Sequence, residues 1–178
     1  MRLRILGCLL LILTACATAT PIPTDTPSPS PTPSPPMTTD ELIGGLNAMG
    51  IIFDEVEEFT NALFSLTDAP AYENPVWRRN ARQSAEGIIG LQVKMERLIL
   101  HPEMRDIHET SIVAMKHHGN YGRGWIEGIE AVERGEGESG LLSGLTPAIK
   151  ELQMAIDNLK LRNQLAEKLR DELQAEGR

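Results

Sequence analysis

The sequence predicts an all-α fold over residues 38–178, an up-and-down antiparallel four-helix bundle, preceded by a signal peptide and a disordered Pro/Ser/Thr linker. Three observations carry that class. Apolar residues recur at steps of three and four through four long segments, as one buried face of a 3.6-residue helix requires. Proline and glycine, preceded by capping residues, punctuate the boundaries between segments. No stretch of the domain shows sustained strand-like alternation, and no repeat exists beyond the helical period. Short connections make antiparallel neighbours the economical arrangement.

The first helix is expected at about 39–67. Thr38 followed three residues later by Glu41 is a capping box, in which each side chain satisfies the other's free backbone N–H. Leu42, Leu46, Met49, Phe53, Val56 and Leu63 then make one broad apolar face. A second helix, about 75–99, opens at Asn74-Pro75, because Asn can cap and Pro has no donor to waste in the first turn. Trp77, Ala81, Ser84, Ile88, Leu91, Met95 and Leu98 follow as a bundle seam.

His101-Pro102 repeats the punctuation and starts a third helix at about 102–134. Its inward face would carry Met104, Ile107, Ser111, Ala114, Met115, His118, Tyr121, Trp125, Ile129 and Val132. The stretch HHGNYGRG puts Gly119, Gly122 and Gly124 in its middle, each costing about 1 kcal/mol against alanine. Either the helix breaks there, or the glycines admit a neighbouring helix or a Trp ring. GEGESG, residues 135–140, reads as a turn, and Thr146-Pro147 as the cap and first position of a fourth helix at about 147–175. A short helical piece over 141–145 is expected to precede it. Ile149, Leu152, Ile156, Leu159, Ala166, Leu169 and Leu173 are its expected inward face.

Upstream, Arg2 and Arg4 precede an apolar run over 5–13 that is too short to span a bilayer, followed by Thr14 and Ala15. That is a secretory signal peptide, expected over residues 1–15. Leu13-Thr14-Ala15-Cys16 resembles the lipobox of bacterial lipoproteins. The resemblance implies a diacylglyceryl thioether on Cys16, cleavage before it, and attachment to a bacterial membrane outside the cytoplasm. Each buried acyl methylene contributes about 0.8 kcal/mol, so two or three chains hold durably. A plain signal peptide cut near Ala15 or Ala17 is the alternative.

The only other cysteine, Cys8, falls in the leader, so the domain would hold no disulfide and must be stabilised by packing. Eight of the twelve prolines lie over 21–36 among Ser and Thr, which makes residues 16–37 a lipidated cysteine and extended stalk. At about 3.1 Å per residue it could hold a domain roughly 60 Å from the lipid. Contributing no core, residues 17–37 should be removable without loss of stability. A ligand for a proline-binding module, or an O-glycosylated segment, is the other use of such a tract.

Taking Arg2, Arg4 and Asp25 from the chain's 17 basic and 25 acidic residues leaves a domain of net charge −9, which argues against nucleic acid. Chemistry is sparse. Di-iron bundles need Glu-x-x-His pairs, but Arg105, Ala114 and Met115 stand three residues before His108, His117 and His118. Haem attachment, His-Glu-x-x-His, P-loop and Gly-x-Ser-x-Gly patterns are missing. What remains is a stripe of His101, Met104, His108, Met115 and His118 on the third helix. Imidazole with thioether suits copper(I), so His108, His118, Met104 and Met115 are candidate ligands. Methionines filling gaps between helices, beside ordinary half-buried histidines, are the favoured reading, with no metal or other cofactor beyond the lipid.

The segment HPEMRDIHETSIVAMKHHGNYGRGWIEGIEAV also resembles helical domains of bacterial lipoproteins of unknown function, over about a third of the domain. That resemblance implies no activity. The expected role is a non-catalytic, membrane-anchored lipoprotein whose bundle binds a protein partner or serves a structural role in the cell envelope. Its alternative is a bundle that binds copper or a small ligand through the third helix.

Overall fold

The structure, a computed structural model, describes residues 35–178. The expected signal peptide 1–15, Cys16 and nearly all of the expected stalk lie outside the described residues. The domain is all-helical, with no strand among the described residues. Its four helices are α1 (Thr39–Asp68), α2 (Pro75–Glu96), α3 (Arg105–Glu133) and α4 (Gly137–Ala175), with a single 3-10 turn, Pro102–Met104, before α3.

The caps form as the residues dictate. Glu41 N–H donates to Thr38 Oγ1 at 3.3 Å while Thr38 N–H donates to Glu41 Oε2 at 2.7 Å. Val76 N–H donates to Asn74 Oδ1 at 2.8 Å ahead of Pro75. At the 3-10 turn Glu103 N–H donates to His101 Nδ1 at 3.3 Å, which leaves Nε2 as the donor toward the Pro35 carbonyl, 3.0 Å away. The first member of the His/Met stripe is therefore a cap.

Residue pairs place consecutive helices against one another in opposite chain order. Lys94 reaches Glu55 at 2.6 Å, and Trp77 Nε1 donates to Leu66 O at 3.1 Å, between α1 and α2. Arg82 pairs with Glu133 at 3.0 Å and His108 Nε2 lies 2.8 Å from Met95 O, between α2 and α3. The core falls into two clusters. One is methionine-rich, with Met37, Met49, Met95, Met104 and Met115 fully buried alongside Leu42, Ile107 and Leu173. The other is aromatic, with Trp77, Tyr121 and Trp125 packed among Leu63, Ala85, Ile88, Ile129 and Leu141.

Helix α3 runs unbroken through Gly119, Gly122 and Gly124. Of the two uses open to those glycines, close approach is the one realised. A Cβ at Gly122 would sit 2.8 Å from Ala85 O on α2, and one at Gly124 would sit 2.8 Å from Gly144 O on α4. Packing on both sides exceeds the helix-propensity cost.

The expected start of the fourth helix at 147 is corrected to Gly137. A Schellman motif ends α3: Glu136 N–H donates to Ala131 O at 3.1 Å and Gly135 N–H to Val132 O at 2.9 Å, with Gly135 at φ 89°. The turn is complete within three residues, and Gly140, Leu141 and Gly144 then bury against α3. Pro147 therefore sits inside the helix rather than at its first position, on the exposed side, where the Ser143 carbonyl it leaves without a donor can meet water.

Three smaller corrections follow from packing. α2 stops at Glu96 rather than 99, and His101, before Pro102, takes an extended ψ of 141°. The first turn of the third helix is 3-10, so its α-helical part begins at Arg105 rather than 102. Met37, expected in the stalk, is 0 % exposed and its N–H donates to Glu103 Oε1 at 2.9 Å. A deletion reaching through Met37 would thus remove core.

The inward face of α4 is corrected at Ile149 and Ile156, while Leu173 is buried and Leu152, Ala166 and Leu169 pack against the core as expected. Gly140, Leu141, Gly144, Ala148 and Ala155 are buried, whereas Ile149 and Ile156 are 62 % and 40 % exposed. Small residues bring α4 hard against α3, and Leu152, Ile156 and Leu159 are turned toward α1. Thr39 Oγ1 donates to Arg178 O at 2.7 Å, and farther along the seam the Arg162 guanidinium lies 5.7 Å from the Phe53 ring centroid. Two hollows lie along the α1–α4 seam, one on either side of the Arg162–Phe53 contact.

Candidate functional site

One hollow of the seam, about 450 Å³, lies between Leu42, Leu46 and Gly50 of α1 and Arg162, Ala166 and Arg170 of α4; the other has about 300 Å³ and is lined by Phe53, Val56 and Phe64 of α1 and Leu152, Ile156 and Leu159 of α4. Helical spacing aligns these side chains, since 53, 56, 60 and 64, like 152, 156 and 159, are steps of three and four. Two polar residues share the lining. His118 of α3 is 5 % exposed and Thr60 of α1 is 8 % exposed. Neither imidazole nitrogen, nor the Thr60 hydroxyl, has a hydrogen-bond partner. Asp54 and Glu57 complete the lining with two carboxylates.

Burial, which strips water from the charged form, pushes the His118 pKa down to about 4, and the neighbouring His117 adds to the effect. The ring is neutral at physiological pH, offering one donor and one acceptor. A pH dependence follows. Below about 6.5 the unfolded imidazole takes a proton that the folded one refuses until about 4. Stability is therefore lost as pH falls through that window, at about 1.4 kcal/mol per unit and on the order of 3 kcal/mol in all. Urea unfolding at pH 7.5, 6 and 5 should show this slope in the wild type and a shallower one in His118→Gln. Coincident slopes would mean that the ring titrates normally. Glu103 and Glu151 do not confuse the window, because their carboxyls are held below the usual range, Glu103 by Arg178 and Met37 N–H and Glu151 by His117 and Asn120. Their contribution fades only at lower pH.

The stripe candidates do not converge. Met104 is fully buried, its Sδ lying where a Cβ at Gly45 would come within 2.5 Å. Met115 is fully buried in the methionine-rich cluster. His108 is engaged with the Met95 carbonyl and borders a different hollow, lined by Leu98, Ile99, Leu100, His101, Pro102 and Arg105. Of the four candidate ligands only His118 borders the seam cavity. Among the described residues no group of three or more His, Cys, Asp or Glu side chains is placed to hold a metal ion.

Two features were missed in the sequence. Thr60 occupies a core position between Val56 and Leu63, and a lone hydroxyl in that period was the available signal. His117 Nδ1 lies 2.8 Å from Glu151 Oε2, which also accepts from Asn120 Nδ2 at 2.7 Å. That polar clasp crosses from α3 to α4, and no local spacing could have announced it. No described helix is long and apolar enough to cross a membrane. Compared with family models, curated proteins and solved structures, the chain matches none.

Proposed function

We propose that this chain is a non-catalytic bacterial lipoprotein, anchored outside the cytoplasm by lipid on Cys16. Its domain, an up-and-down antiparallel four-helix bundle on a Pro/Ser/Thr stalk, acts as a protein-interaction module of the cell envelope. The observation that carries the binding role is the incompletely covered α1–α4 seam, where Phe64 and Ile156 are 46 % and 40 % exposed and Ile149, seven residues before Ile156 on the same face of α4, is 62 % exposed. Apolar side chains gathered along one helix pair mark interaction surfaces more often than scattered ones do. The reading requires no cofactor beyond the lipid and no nucleic acid, in keeping with the acidic domain.

The anchor is supported by the lipobox resemblance at Leu13-Thr14-Ala15-Cys16 and by the way the chain enters the domain. Pro35 O meets His101, and Met37 N–H and the Arg178 guanidinium converge on the Glu103 carboxylate, the latter through two contacts of 3.1 Å. A tether pulling on residue 35 would load this clamp rather than the end of α1. Cys16→Ser should abolish incorporation of labelled fatty acid and leave an uncleaved precursor. If that variant still matures and partitions into detergent, the lipobox reading fails. Photo-crosslinkers at Ile149 and Ile156 of the membrane-held protein should capture one envelope protein reproducibly, and a crosslinker at Ile99, 98 % exposed and outside the seam lining, should not.

A further inference from the structure

We propose that the α1–α4 seam binds a second copy of this chain, the two seams lying face to face about a two-fold axis that reverses their direction. This deepens the protein-interaction reading of the seam, on which it rests, and does not depend on Cys16. Direction matters because the two ends of the seam differ. Toward the C-terminal end of α1 lies the hollow of about 300 Å³, with Phe64 and Ile156 exposed along it and Ile149 exposed seven residues before Ile156. Toward the N-terminal end lies the larger hollow of about 450 Å³, walled by Leu42, Ile43, Leu46 and Ala166. Apolar side chains standing out at one end and the larger hollow at the other make a strip that fits a reversed copy of itself.

Charge selects the same arrangement. The smaller hollow is lined by Asp54 and Glu57 with no Lys or Arg, and the larger by Arg162 and Arg170 against one carboxylate, Glu167. Among the described residues neither Asp54, Glu57 nor Arg162 has an ion-pair partner; Arg162 Nη1 donates to Asn163 Oδ1 at 2.9 Å, and Arg170 touches its chain neighbour Asp171 at 3.3 Å. A two-fold axis through the Arg162–Phe53 contact sets the acidic hollow of each copy over the basic hollow of the other, twice over. With the seams parallel, acid would face acid. An unrelated partner requires no such relation between the two ends; a second copy does. The strip is also large enough. From Thr39 to Phe64 on α1 and from Gln174 to Ile149 on α4 it runs about 38 Å, and two helices each about 10 Å wide give about 760 Å². A standard interface takes about 800 Å² from each partner. Because the domain's net charge of −9 makes copies repel at a distance, apolar contact supplies the affinity and the paired charges the orientation.

The test uses two full-length chains bearing different epitope tags, made in the same intact cells, one with a benzophenone photo-crosslinker in place of Ile156; it requires no lipid on Cys16. The crosslinker should capture the other tagged chain, and mass spectrometry should place the adduct at the larger hollow of that chain, within residues 42–50 or 166–174. Asp54→Lys with Glu57→Lys should lower capture between like copies at least about tenfold, as should Arg162→Glu with Arg170→Glu, because each pair sets like charges together. The two double variants made together should restore capture, since both contacts again join opposite signs, and restoration shows that both fold. Should either double variant fail to fold, the position of the wild-type adduct decides the matter. An adduct with a different protein alone would leave the seam an interaction face and overturn the second copy as its occupant; no adduct at all would overturn both. An adduct at the smaller hollow of the second chain, undiminished capture by the double variants, or no restoration in a folded mixed pair would each overturn the proposal as well.

Discussion

Gly144→Ala is expected to destabilise the domain by about 1 to 3 kcal/mol, although alanine is the better helix former by about 1 kcal/mol. The reason is where the new methyl would land. A Cβ on Gly144 would fall onto the Gly124 carbonyl oxygen and the Gly128 backbone N–H, and within 2.9 Å of Gly128 Cα. All three are backbone atoms of α3, so no side chain can swing aside; the two helices must separate. Separation would also loosen the neighbouring contacts at Gly124, Gly128 and Gly140, each of which leaves no room for a Cβ of its own. Leucine at 144 should prevent the native α3–α4 pairing altogether. Gly90→Ala is the matched control, because nothing lies within 4 Å of a Cβ there and only the propensity gain of about 1 kcal/mol remains. Urea denaturation followed by circular dichroism checks both. A Gly144→Ala protein as stable as the wild type would show that the helices are not held at backbone contact.

Trp125→Ala should cost about 3 to 5 kcal/mol, the range for truncating a fully buried large side chain. The ring is 1 % exposed, its centroid is 6.1 Å from that of Trp77 at an interplanar angle of 44°, and it packs among Leu63, Ile129 and Leu141. Such a tilted pair adds to the area term. Trp77→Ala should fall in the same range, with the donor to Leu66 O lost as well. Chemical denaturation of each variant is the check; a loss below about 1 kcal/mol would place that ring at the surface and assign it to recognition instead of the core.

Most residues whose partners lie within a few positions along the chain were read correctly, Thr146-Pro147 inside α4 being the exception. Thr38 with Glu41, Asn74 with Pro75 and His101 with Pro102 each act through one turn of backbone, so their geometry is implicit in their spacing. The inward placing of Trp77, Met95, Met104, Met115 and Trp125 follows from the same local period. The first half of the fourth helix was misplaced because its face toward α3 is built mostly of glycine and alanine, at Gly140, Gly144, Ala148 and Ala155. A reading that ranks side chains by apolar size turns Ile149 and Ile156 inward, but α3 selected the small ones, which let two backbones touch.

The candidate site divides in the same way. His118 was singled out as part of a stripe with His108, Met104 and Met115, and the period did place it on a buried face. Which cavity it borders, and that Thr60 borders it too, depended on how far α4 stands from α1. By itself, then, the sequence determined an all-helical domain of four segments, the caps at Thr38, Asn74 and His101, and most of its core, because those are consequences of propensity and period acting over a few residues. Only the tertiary structure decided that α4 begins at Gly137, that Met37 belongs to the core, and that the seam between α1 and α4 stays hollow over His118 and Thr60. Each of those is settled by contacts between residues far apart in the chain, whose energies no local pattern carries.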